Sequence, residues 1–130
     1  MILVLVFFNF LLDLMFVGRA NADMVVETKA QIEDYIIWRA MENGIPASHL
    51  LAVAKCESSF KNVPNHLYDG EDGRYTAYGP FQILKSTAKR YSLNDRRNPK
   101  YNIEMAILIY LNEGLTPWNE SKSCWSREIV

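Results

Sequence analysis

Leu50-Leu51-Ala52-Val53-Ala54-Lys55-Cys56-Glu57-Ser58-Ser59-Phe60 is the stretch on which both the fold and the chemistry turn. Leu50, Val53 and Ala54 recur at i, i+3 and i+4, the spacing of one helical face, and Pro46 suits the first turn of that helix. Glu57 falls at i+7 on the same stripe. Its carboxyl therefore leaves an apolar face at a helix end, where partial desolvation and the negative end of the helix dipole both disfavour the anion. A carboxylic acid kept protonated near neutral pH is what a general acid requires. A glutamate at a helix end is equally at home as a solvated surface group, and position alone does not separate the two readings.

Outward from this stretch the pattern is helical, with almost no strand signal. Over residues 25–43, Ile32, Tyr35, Ile36 and Ala40 predict a first helix that Asn43-Gly44 stops. Residues 61–79 carry Pro64, Gly70, Gly73 and three acids, and read as an irregular loop or short hairpin; loops of this length usually have a function. Residues 81–91 resume a helical pattern. Asn98-Pro99 then opens a helix over residues 101–113, closed by Gly114 and apolar nearly all round, which makes it the expected buried centre. Thr116-Pro117 begins a last short helix bearing Trp118, Cys124 and Trp125. The expected class is mainly α, a small single domain with a long loop or short hairpin beside its cleft.

Composition narrows the function classes. Of 130 residues 49% are hydrophobic and 22% charged, with 14 Lys and Arg against 15 Asp and Glu. Such a chain folds, and it lacks the basic stripe that phosphate neutralisation demands, so nucleic acid is not an expected partner. Met1 to Val17 is broken only by Asn9 and Asp13, and Ala20 and Ala22 offer the small side chains a signal peptidase accepts. Residues 1–22 thus read as a secretory signal and residues 23–130 as the mature domain. The leading end has no Lys or Arg, which leaves an uncleaved membrane anchor as the other reading. Both place the domain in an exported compartment, periplasmic or extracellular. There, Cys56 and Cys124 permit one pairing, and a disulfide closing 68 residues contributes about 4 kcal/mol in the chain-entropy model.

Glu57-Ser58-Ser59-Phe60, then Gly79-Pro80-Phe81-Gln82-Ile83, then Asn98-Pro99-Lys100-Tyr101-Asn102-Ile103, then Tyr110-Leu111 follow one another in an order and spacing that resembles the lysozyme-like soluble lytic transglycosylase (SLT-type) domain, itself related to goose-type lysozyme. That family ends its catalytic helix in E-S-x-F, continues with G-x-x-Q-[IL], and leads through D-P-x-x-N-I into a helix with a Tyr-Leu pair. The likeness spans Pro46 to Trp125, 80 residues. Asn98 stands where the family usually has Asp, and its A-Y-N-A-G motif is absent. The resemblance implies that Glu57 is the catalytic acid and that Ser58 or Ser59 helps orient it. It implies a saccharide cleft lined by Gln82 and by the backbone of Tyr78, Gly79 and Phe81, faced by Tyr110 from the central helix. The substrate would be peptidoglycan glycan strands, cut by a monomer needing no metal or cofactor, and recruitment to an envelope-spanning assembly fits a domain this small.

One functional reading leads, and two alternatives follow it. The leading one is lytic transglycosylation giving 1,6-anhydro ends. In the second, a hydrolytic muramidase, Asp69 or Asp72 would activate water as the second carboxylate that an inverting enzyme needs about 6.5 to 9.5 Å away; the other account of these acids is turn formation. A non-catalytic wall-binding or assembly module is the third. A membrane-anchored scaffold would need the N-terminal segment retained. A Cys56–His49 thiol peptidase is disfavoured because two helical turns put about 10 Å between them, and Cys56, Cys124, His49 and His66 lack the paired spacing of a zinc site. Trp118 and Trp125 could stack on sugar or shield Cys124.

Overall fold

Side-chain caps start the two longest helices of the computed structural model, which describes residues 24–65 and 77–129. The expected signal segment, the centre of the long loop, His66, Asp69 and Asp72 lie outside the described residues. Helix α1 (Lys29–Glu42) begins only at Thr28, because that residue forms a capping box. The Thr28 hydroxyl accepts from the Gln31 amide at 3.3 Å, and the Gln31 side chain accepts from the Thr28 amide at 3.0 Å. Helix α2 (Ala47–Ser58) ends in two left-handed residues, Ser59 at φ 54° and Phe60 at φ 61°. They swing the chain back so that Phe60 is buried against the core.

Helix α3 (Lys85–Arg90) is short, and α4 (Pro99–Glu113) is long, capped by the Asn98 side chain accepting from the Lys100 amide at 3.0 Å. A 3-10 turn (Thr116–Ser121) runs into α5 (Lys122–Glu128). Helix α1 packs on α2 and α4, while α2 also carries α5 and the 3-10 turn. Ile32, Ile36, Leu50, Val53, Ile103 and Ile109 meet in the centre, each essentially inaccessible to solvent. Among the described residues no helix is long and apolar enough to cross a membrane. The architecture is the mainly helical single domain expected.

Two local expectations change. Helix α4 buries Asn102, Ile103, Met105, Ala106, Ile107 and Ile109, but Tyr101, Leu108 and Leu111 face outward. It is central on one side only, since no element covers its far face among the described residues. Residues 81–84 are not helical. Tyr78 and Ile83 exchange backbone hydrogen bonds at 3.2 and 3.0 Å, and Gln82 closes the turn between them at φ 48°. The limbs of the long loop also pair: Asn65 donates to Ala77 and Gly79 to Val63, both at 2.9 Å. The hairpin alternative thus holds for the described part of the loop, in which Tyr78 bridges both Pro64 and Ile83.

A buried amide holds this turn to the core. Asn102, fully buried on α4, accepts from the Phe81 amide at 3.0 Å and donates to the Tyr78 and Arg96 carbonyls at 2.9 and 2.8 Å. Gly79 at φ 85° lets the turn approach: a β-carbon there would lie 2.3 Å from Asn102 Nδ2. The triply bonded amide cannot yield without leaving buried polar groups unpaired. Gly79→Ala is therefore expected to cost about 3 kcal/mol, through overpacking and a left-handed backbone that L-residues resist. The shift of the urea midpoint at constant slope measures it, and a loss below about 1 kcal/mol would mean that the turn is not locked by Asn102.

Candidate active site

Glu57 occupies the last turn of α2, and the stripe it shares with Leu50, Val53 and Ala54 brings its carboxyl to the wall of a cleft of about 690 Å³. That is within the range of ligand-binding cavities. The 3-10 turn forms one side through Thr116, Pro117, Trp118, Asn119, Glu120 and Ser121. Gln82, Ile83, Leu84 and Thr87 form the other, with Ile109 of α4 and Asn65 and Ala77 of the hairpin limbs completing it. A second hollow of about 700 Å³ adjoins α3, but its one carboxyl, Asp95, is exposed among Lys85, Lys89, Arg96 and Arg97. Such an exposed acid lacks the desolvation that Glu57 has.

Burial raises the Glu57 pKa above the ordinary carboxylate value. A hydrogen bond from Ser121 acts against that rise, and repulsion from Glu120 adds to it. Desolvation is thus the main cause, as the stripe foretold, while the Glu120 charge is an addition the sequence reading did not contain. The net effect favours the protonated form that a general acid needs.

The hydroxyl that reaches Glu57 belongs to Ser121, 2.5 Å from Oε1, and not to Ser58 or Ser59. Ser58 Oγ lies 2.9 Å from the Pro80 carbonyl and 3.2 Å from that of Ala54, and it accepts from the Lys61 amide at 3.1 Å. It fastens the end of α2 to the turn. Ser59 is exposed in its left-handed cap position.

Of the other expected cleft residues, Gln82 does line the cavity, and its Nε2 donates to the Val63 and Gly79 carbonyls at 2.9 and 3.0 Å. Gly79 and Phe81 are buried beneath it, so they support the wall from behind. Tyr78 is half-buried, with the Arg97 guanidinium 5.9 Å from its ring centre. Tyr110 is not a wall of this cleft. Its hydroxyl meets His49 Nδ1 at 2.7 Å, at the start of α2. His49 precedes Glu57 by eight residues, about 12 Å of helix, so Tyr110 fastens α4 to the opposite end of α2.

Cys56 and Cys124 form a disulfide, which engages both sulfurs and removes the thiol and zinc readings. Both tryptophans are buried, with their indole N–H groups bonded to backbone carbonyls. Trp125 Nε1 donates to the Trp118 carbonyl at 2.8 Å, and Trp118 Nε1 to the Phe81 carbonyl at 3.0 Å. With the bond from Phe81 to Asn102, these make a continuous spine from α5 through the turn to α4. Trp118 is also among the residues that line the cleft.

Among known proteins, the family model described as the transglycosylase SLT domain matches residues 34–126 of this chain. No curated protein and no solved structure matches it.

Proposed function

Because the chain belongs to the transglycosylase SLT domain family, we propose that it cleaves the β-1,4 bond between N-acetylmuramic acid and N-acetylglucosamine in peptidoglycan, with Glu57 as general acid and then base. One observation carries this reading: a half-buried carboxyl, held towards its protonated form by burial, opens onto a cleft of ligand size. Glu57 gives its proton to the glycosidic oxygen as the bond to C1 breaks and positive charge gathers there. The C6 hydroxyl of the same muramic acid then attacks C1, and Glu57 takes its proton. One proton leaves and one returns, so the cycle balances with no external acceptor, and the product carries a 1,6-anhydro end. Peptidoglycan lies outside the cytoplasmic membrane, in the exported compartment where a Cys56–Cys124 disulfide persists.

The test is to incubate the purified protein with peptidoglycan and weigh the released muropeptides. Fragments one water lighter than hydrolysis products are expected. Reducing ends in their place would assign hydrolysis and turn attention to Asp69 and Asp72, and no release would leave the wall-binding module.

A further inference from the structure

We propose that Ser121 is the positioning residue of the Glu57 carboxyl, anchoring Oε1 through both proton transfers and leaving Oε2 to carry the proton. This rests on the reading of Glu57 as the acid and adds the group that sets its orientation. The Ser121 hydroxyl is 2.5 Å from Glu57 Oε1 and 3.1 Å from the Trp118 carbonyl. A hydroxyl has one hydrogen, so it serves one of these acceptors at a time. When Glu57 is neutral, the hydrogen is shared between two acceptors of similar strength. As the proton leaves, charge gathers on the carboxylate and the bond to Oε1 becomes charge-assisted, roughly twice as strong as a neutral one. Stabilisation therefore grows in the first transfer, as the glycosidic bond breaks, which is the kind that accelerates that step.

The placement of Ser121 is itself fixed. It closes the 3-10 turn, and the Trp118 carbonyl it faces is held by Trp125 Nε1 at 2.8 Å. Three residues later Cys124 is bonded to Cys56, the neighbour of Glu57, with their α-carbons 5.9 Å apart. Acid and hydroxyl thus each adjoin one half of the same covalent clamp. Glu120, from the 3-10 turn, is the other charged group lining this cleft among the described residues, and it is exposed. Thr87 of α3, Ile109 of α4 and the loop residues Asn65 and Gln82 face the acid side without charge.

Ser121→Ala and Ser121→Thr are compared with the parent protein and with Glu57→Gln on soluble glycan strands across pH. Ser121→Ala is expected to lower kcat about ten- to a hundredfold, the worth of one charge-assisted hydrogen bond, with KM within about twofold. Its alkaline limb should move to higher pH, because the ionised carboxyl has lost its donor. Ser121→Thr keeps a hydroxyl and should restore both rate and limb. A purely structural serine would lower the melting temperature and the rate but leave the limb in place, which would overturn the proposal. An unchanged rate and limb in Ser121→Ala, with Glu57→Gln inactive, would also overturn it. If Glu57→Gln keeps full release, the assignment of Glu57 falls first, and that result is independent of either serine variant.

Discussion

Glu57→Gln is expected to abolish glycan release, lowering the rate by about a thousandfold, the middle of the range ascribed to general acid catalysis. The amide matches the carboxyl in shape and still offers Ser121 an oxygen at the position of Oε1. It has no acidic proton to give the glycosidic oxygen and cannot take one from the C6 hydroxyl. Stability should move the other way. Burial raises the folded-state pKa of Glu57 above its ordinary value, so between those two values the folded protein holds a proton that the unfolded chain has released. Stability contributed by this group is therefore full in acid and falls as pH rises through that window. Glutamine does not titrate, so the variant lacks that decline and at neutral pH melts at the same temperature as the parent or slightly above. Release assays with thermal melts from acid to neutral pH test both halves. A variant that melts early yet still turns over would overturn the assignment.

Replacing Cys56 and Cys124 together by serine should cost about 4 kcal/mol, from the entropy that the unfolded chain regains when a 68-residue loop is opened. A domain of this size has only about 5 to 15 kcal/mol in total, so the loss is a large share. The clamp joins the last turn of α2 to α5, the two elements that bracket Glu57 and Ser121. Catalysis should accordingly fall at temperatures where the fold still persists. Denaturation with and without reductant, beside release assays on the double variant, measures the two effects. A cost under about 1 kcal/mol with full activity would show that packing alone sets the distance between acid and hydroxyl.

Much of the fold was legible because its signals are local. The stripe from Leu50 to Glu57, the stop at Asn43-Gly44 and the cap at Asn98-Pro99 each act within one or two turns, and each helix formed there. Residues 81–84 misled because Phe81, Ile83, Leu84 and Ala88 imitate a helical face. The positive φ of Gln82, imposed by the bonds between Tyr78 and Ile83, has no glycine to announce it. Ser121 was out of reach for a different reason. It lies 64 residues from Glu57, in a 3-10 segment with no periodicity to read. The one available signal was the cysteine pair: Cys56 adjoins Glu57, so whatever lies a turn from Cys124 must come near the acid. Tyr110 shows the converse limit, since a shared stripe fixes a face but not which end of the neighbouring helix that face meets.

The distance in sequence between the acid and its hydroxyl also ties the site to the whole fold. The contact between Glu57 and Ser121 closes a span of 64 residues, and the packing of α1 on α4 closes spans of the same size, with Tyr35 and Arg39 bonded to Glu104 across 69 and 65 residues. Chain entropy opposes contacts of such separation until others hold the chain together. A chain with only its local helices formed would carry its acid unbraced and its cleft open on the side the 3-10 turn supplies. Acid and hydroxyl thus come into register only as the long-range packing forms, so the site exists only in the complete fold.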